Sequence, residues 1–432
     1  MFEHLFRNKT KLFFDKAEKY THGIVKTDMR NIERISEKLD ENYHRMQHFI
    51  TESNWDGRAV IDKVAQEVNN TLPRRKLTGL IIDESGWVKK GYKSVGVGHQ
   101  YCGNVGKNAN CQVAVFACLS NGDFASMVDA RLYLPKDWSD NHDRCDEAKI
   151  PKGKSIFKTK LELAADIVRH LIEQGITFEF ISADGYYGND AKLARIIDNL
   201  GIIYMLDIHS DQVIYLERPG LEVPQRKSTK GKEPQKLKPT TKGTTVKQYI
   251  ETLTDSDFKT ITVRNTTKGK LKGDYHFVKV YIWDKNINSI EHRLLQIRKT
   301  TSKDGTIEIK YSFTNANLEQ YTPWALAYMQ AQRFFVEHCI KESKQILGID
   351  EFQTRLWNAW EHQVALNFIV SSFMLKEKLV CFDEMPLLSA RDIIEFLSFK
   401  LFKAMTEEQM LHKIQNRHKI RQMDINRYYL RC

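Results

Sequence analysis

The sequence predicts a mixed α/β fold in which a sheet-and-helix core is interrupted by a β-rich insertion and flanked by helical regions at both ends. Three observations predict it. Short apolar runs bounded by polar turns begin near residue 77, and from residue 157 amphipathic helical stretches alternate with them. Between residues 209 and 320 a Lys-rich stretch gives way to four more strand-like runs. Residues 1–76, and the chain beyond 321, instead carry apolar side chains at helical spacing.

With 432 residues the chain can bury a large core, and its length predicts two or three structural units. A formal net charge of +11 makes a polyanion the expected partner. No run approaches the roughly 18 apolar residues of a membrane span. The opening MFEHLFRNKTKLFF lacks an apolar leader core and a small-residue cleavage site, so a cytoplasmic protein is expected. The cysteines at 102, 111, 118, 145, 339, 381 and 432 form no CxxC pair, which reads as reduced thiols and argues against a disulfide framework or a zinc ribbon.

Taken in order, residues 1–76 form a helical unit, with Ile32, Ile35, Leu39, Tyr43, Met46 and Phe49 following one helical period. Its Arg30, Arg34, Lys38 and Arg45 suit DNA contact and a solvated surface equally. Residues 77–208 begin a core. LTGLII ends at Asp83-Glu84-Ser85-Gly86, and SVGVG (94–98), CQVAVFACL (111–119) and FASMVDARLYL (124–134) follow as an antiparallel meander. A helix over 157–175 leads to the strand FEFISA (178–183), which ends at Asp184-Gly185-Tyr186-Tyr187-Gly188. A helix over 190–199 and the strand IIYMLDI (202–208) complete the set. This order is that of a ribonuclease-H-like core, in which the first and fourth strands are neighbours and Asp83 converges on Asp184. By itself, a strand-end Asp is an ordinary turn former.

Residues 209–320 form the insertion. Arg226, Lys227, Lys230 and five further lysines up to Lys247 face one acid, Glu233, as in a basic loop, and strands are expected over 258–265, 275–283, 293–299 and 306–313. Residues 321–376 close the core. Here 321–348 read as one long helix that turns Gln330, Arg333, Glu337 and Lys344 into a stripe about 60° wide. Taken alone, the stripe also suits a solvated face with Arg333–Glu337 and Glu337–Lys341 pairs. Helices are expected over 352–376, 389–403 and 406–431, with Trp357, Trp360 and His362 in the core. Residues 377–432 make a basic helical region, whose Lys413, Arg417 and Arg421 suit a nucleic-acid arm.

Asp83, Asp184 and Glu337, on two strand ends and one polar helix stripe, have the layout of a carboxylate triad for hard divalent cations. Mg²⁺ prefers such oxygen donors, and a pair of ions can clamp the attacking and leaving oxygens of a phosphodiester. No His and Cys cluster signals zinc.

The stretches IIDESGWVKKGYKSVGVGHQYCGNVGKNANCQVAV (81–115), RLYLPKDW (131–138), ISADGYYG (181–188) and RFFVEHCIKESKQILGIDEFQTRLW (333–357) carry a family resemblance. Through them the chain resembles the DDE transposases of bacterial insertion sequences, in the insertion sequence 701-type group of the insertion sequence 4 superfamily. That superfamily has a helical signature of Tyr, two residues, Arg, three residues, Glu, six residues and Lys. Arg333, Glu337 and Lys344 match it, while Gln330 stands where the Tyr is expected. The resemblance implies an RNase H-like fold with Asp83, Asp184 and Glu337 as catalytic residues holding two Mg²⁺ ions, with Mn²⁺ able to substitute. It assigns Glu84 a supporting place beside Asp83. It implies contacts to DNA phosphates by Arg333, Lys344, Lys107 and the basic segments, and a β insertion that holds cleaved ends. The activity implied is cut-and-paste transposition: metal-dependent cleavage of transposon ends and strand transfer into target DNA, by a homodimer on double-stranded DNA at the bacterial nucleoid. The alternatives are an RNase H-like nuclease without strand transfer and an inactive DNA-binding remnant.

Overall fold

The computed structural model describes residues 1–74, 76–225, 234–266, 269–302, 304–351, 353, 355–386, 388–401 and 406–429. After a 3₁₀ turn over Glu3–Phe6 and a short hairpin pairing Arg7–Asn8 with Lys11–Leu12 come four helices, α1 (Phe14–Lys26), α2 (Ile32–Leu39), α3 (Tyr43–Thr51) and α4 (Gly57–Thr71). Asn31, Asn42 and Asp56 cap the last three, each side chain accepting a backbone N–H of the first turn. The apolar period running through residues 32–49 therefore does not make one helix. Asp40, left-handed at φ 60°, ends α2, and the same apolar face continues on α3.

The core strands are β1 (Gly79–Val88), β2 (Gly98–Cys102), β3 (Lys107–Asn121), β4 (Phe124–Leu132), β5 (Phe180–Ala183) and β6 (Ile203–Ile208). Their order across the sheet is β4-β3-β1-β5-β6, with β2 against the start of β3. The β1–β3 and β3–β4 pairs are antiparallel, whereas β1–β5 and β5–β6 are parallel, the arrangement of a ribonuclease-H-like core. The expected strand over 94–98 is instead a turn closed by the Val97 N–H on the Ser94 carbonyl, and pairing starts only at Gly98. The parallel pairs need crossovers, and α5 (Lys160–Glu173), the one-turn α6 (Gly185–Gly188) and α7 (Ala191–Asn199) supply them. Thr159 and Glu162 start α5 with a capping box.

The insertion contributes β7 (Lys259–Thr266), β8 (Gly269–Asp284), β9 (Ser289–Thr301) and β10 (Ile307–Thr314), each antiparallel to the next. It does not stand apart from the core. β10 pairs antiparallel with β6, setting Ser312 opposite Asp207, so the two halves form one ten-stranded sheet.

The single helix expected over 321–348 is two, α8 (Pro323–Ala331) and α9 (Arg333–Gln345). Gln332 keeps helical angles, but the Phe335 N–H bonds to its carbonyl in the tighter i→i+3 pattern. Its buried side-chain oxygen accepts from the Ser120 hydroxyl at 2.7 Å and the Gly122 N–H at 3.1 Å, which pins the junction to the β3–β4 turn. Three helices follow, α10 (Trp357–Val380), α11 (Ala390–Leu401) and α12 (Glu407–Tyr429). α10 is buried along most of its length between the sheet and the opening helices, where Gln363 accepts from the Tyr20 hydroxyl at 2.8 Å. Tyr20, Val64, Phe116, Met127 and Phe368 thus belong to one continuous apolar core. Among the described residues no helix is long and apolar enough to cross a membrane.

Candidate active site

The parallel register of β1 and β5 pairs Ile82 with Ala183 and stops there, so one step further Asp83 and Asp184 stand side by side: Asp184 just past the end of β5, Asp83 midway along β1, which runs on to Val88 beyond the end that the sequence predicts. Asp184 also caps α6, accepting the Tyr186 N–H at 3.0 Å, and Asp83 accepts the Glu84 N–H at 2.8 Å. Burial, and then the charge of Asp184, push the Asp83 carboxyl up to about 8 against the pull of Arg333. Burial followed by the charge of Glu84 raises Asp184 as well, opposed by Arg333 and by the N–H groups of Tyr186 and Tyr187. Glu84 itself turns away from Asp83, as strand alternation requires, and meets the Lys160 ammonium at 2.8 Å.

Arg333, at the start of α9, joins the acids. Its Nη2 lies 2.6 Å from Glu337, its Nε 2.9 Å from Asp207 and its Nη1 3.7 Å from Asp83. Asp207 is a residue that sequence reasoning missed. The signal in the sequence is a lone acid inside the apolar strand IIYMLDI, and a strand position facing a buried cation looks the same in sequence as one facing water. Glu337 is about half exposed and reaches the strand-end pair only through the guanidinium. Among the described residues, no three Asp, Glu, His or Cys side chains gather closely enough to hold a metal ion. The structure thus brings Asp83 and Asp184 together and sets Glu337 apart, across Arg333.

The helical stripe itself divides. Gln330 is buried and donates to Ser312 at 2.6 Å. The Lys344 ammonium donates to the Gly86 carbonyl at 2.9 Å and lies 5.8 Å from the Trp87 ring centre, where burial lowers its pKa. Lys107 is exposed where β3 begins. Arg421 of α12 pairs with Glu37 of α2 at 3.1 Å. Arg226, Lys227 and Lys230 lie outside the described residues, as do the side chains of Lys413 and Arg417.

The donor set fits a hard cation. Asp83 and Asp184 stand together and offer only carboxylate oxygens, the donors that a hard cation prefers, while Glu84 is held by Lys160 and Glu337 lies across Arg333.

Comparisons with known proteins bear on this arrangement. A family model described as DDE superfamily endonuclease, a family that generally works with divalent metal ions, matches residues 7–270, a span that includes Asp83 and Asp184. The chain is 30% identical over 206 residues to a protein of Microchaete diplosiphon described as "Probable transposase for insertion sequence element IS701". That match covers 46% of this chain and 50% of the relative, so the chain spans about half the length of the curated protein it resembles. The crystal structure of the NurA nuclease from Sulfolobus solfataricus aligns with 74% of this chain and 93% of its own at 9% identity, but a TM-score of 0.28 is too low to carry an argument. Because the endonuclease model takes in more than half of the sequence and both strand-end acids, the chain belongs to the DDE superfamily endonucleases.

Proposed function

We propose that this endonuclease is an insertion-sequence transposase, which cuts double-stranded DNA at the ends of its element and joins them to target DNA. The observation that carries the reading is the partly buried Asp83–Asp184 pair, set side by side where the parallel pairing of β1 and β5 stops and tied through Arg333 to Glu337 on α9. Asp83 and Asp184 would hold the divalent metal, taken as two Mg²⁺ ions, and Glu337 would complete the set. The metal supplies positive charge where the phosphodiester gains negative charge in the transition state.

The chain's own residues supply orientation. Arg333 binds a non-bridging phosphate oxygen beside the acids, the role that a planar two-pronged donor fills best. Glu337, at the open edge of the site, orients the nucleophile. In the first step a water oxygen bonds to phosphorus as the P–O3′ bond breaks, the water gives up a proton to solvent and the departing O3′ takes one up, leaving a 3′-hydroxyl on the element. In the second that hydroxyl attacks a target phosphodiester, one P–O bond forms as another breaks, and no covalent protein intermediate is needed. A homodimer would present two such sites to the two ends.

The test uses purified protein, Mg²⁺, and a plasmid carrying the coding region with its native flanking DNA. Expected are 3′-hydroxyl ends at the element boundaries and joined products. Asp83→Asn, Asp184→Asn and Glu337→Gln should each slow cleavage by about 100-fold, about 2.7 kcal/mol of barrier, with DNA binding retained. Cleavage without joining would reduce the reading to a nuclease, and no metal-dependent cleavage would overturn it.

A further inference from the structure

Arg333 has one partner that neither the strand-end pair nor the helical stripe accounts for. Asp207 receives its Nε–H at 2.9 Å, and the other Asp207 oxygen accepts the Ser312 hydroxyl at 2.6 Å. Ser312 stands directly opposite Asp207 in the β6–β10 pairing, so the register of the sheet sets this contact. Behind it, the buried Gln330 amide donates to the Ser312 oxygen at 2.6 Å. The chain of bonds has one sense only. A serine hydroxyl carries a single proton, and Ser312 donates its proton to a carboxylate that can only accept, so the Gln330 NH₂ must donate to the Ser312 oxygen and not the reverse. All three residues come from different elements, β6, β10 and α8.

On the transposase reading, we infer that Asp207 is the positioning residue of the site, with Ser312 and Gln330 fixing its carboxylate so that Arg333 is aimed between Asp83 and Glu337. Arg333 could otherwise choose among three acids. With its Nε committed to Asp207, rotation about the long side chain is removed, and Nη1 and Nη2 are left to face the catalytic groups. The insertion then has a role in the site beyond any contact with DNA, because β10 carries the serine that orients Asp207. Gln330, which stands at the signature's tyrosine position, acts inward on the same chain of bonds.

The test compares wild type with Asp207→Asn, Arg333→Ala and the double variant, measuring single-turnover cleavage of the same plasmid at saturating protein, DNA affinity and melting temperature. Asparagine keeps the volume and the bond to Ser312 but loses the charge that holds Nε. Asp207→Asn should slow cleavage about 10- to 100-fold, as a misplaced catalytic group does, with affinity within a few fold. The double variant should cleave no more slowly than Arg333→Ala alone, because Asp207 acts only through Arg333. In ¹⁵N-arginine-labelled protein, the Arg333 Nε–H resonance should be resolved in wild type and lost in Asp207→Asn while the other arginine resonances stay in place. Ser312→Ala, a smaller change, should give an intermediate loss of rate and keeps the inference testable if Asp207→Asn folds poorly. Multiplicative losses in the double variant, or unchanged cleavage by Asp207→Asn, would overturn the positioning role while leaving the transposase reading intact. Failure of wild type to cleave would overturn that reading itself, and the arginine resonance would still report the bond.

Discussion

Lys344 shares a helical stripe with Glu337, yet the two side chains end in different places. The spacing predicts a cation free to meet DNA phosphates, whereas the structure directs the ammonium to the Gly86 carbonyl beside Trp87, at the far end of the strand that carries Asp83. A hydrogen bond from a charged donor to a backbone carbonyl is worth about 1.5–3 kcal/mol. Lys344→Ala should therefore lower stability by about 1–3 kcal/mol in urea unfolding, with cleavage per folded molecule largely retained. Unchanged stability together with weakened DNA binding would return Lys344 to the phosphates. Arg333 presents the opposite case, because its ion-pair partners are Asp83 and Glu337 of the site and Asp207, the acid that aims it.

Between elements, the closest fit in the site is that of α6 against β6. A Cβ on Gly188 would collide with the backbone carbonyl oxygen of Asp207, and backbone cannot yield as a flexible side chain can. Gly188→Ala should thus force apart the turn capped by Asp184 and the strand that carries Asp207, costing about 3 kcal/mol and most of the cleavage. Gly103→Ala is the control: its added methyl meets nothing within 4 Å, so stability should change by less than about 0.5 kcal/mol. Thermal melting of both variants checks the pair, and equal effects would show that the close approach is not what constrains Gly188. The α8–α9 junction is a second such fit. Gln332 fastens the start of α9 to the β3–β4 turn, which sets where Arg333 begins.

Across the whole molecule, the opening helices are built onto the ten-stranded sheet. Arg58 of α4 donates to the fully buried Asp129 of β4 at 2.6 Å, and Arg131 holds the other oxygen at 3.0 Å. Burial alone would raise the Asp129 carboxyl, but Arg58 and Arg131 outweigh it and hold the group below its ordinary range. Its contribution is therefore fully present above the unfolded value of about 3.9 and is lost as pH falls through the lower folded value. Asp129→Asn takes from Arg58 and Arg131 the carboxylate that they share, leaving Arg58 only Asp62, and should cost about 3 kcal/mol at neutral pH. The gap between wild type and variant should narrow on acidification below about pH 4. Urea unfolding at several pH values checks both, and a pH-independent gap would show that the charge is not what matters.

Apart from the run at 94–98, which is a turn, local pattern in the sequence predicts the order of the main strands and helices in the core, because apolar periodicity records which face of each segment is buried. It also placed Asp83 and Asp184, since both stand where an apolar run stops, and the parallel pairing of β1 with β5 sets those two points side by side. Periodicity does not record what covers a buried face. The left-handed Asp40 and the tightened turn at Gln332 leave the apolar period almost unbroken, so both helix divisions were invisible in it. Asp207 and Ser312 are 105 residues apart, and only the β6–β10 register sets them opposite one another. The target of Lys344, the distance of Glu337 from the strand-end pair and the aim of Arg333 were likewise decided in the tertiary structure, because each depends on a partner from a remote element whose position the sequence around these residues does not encode.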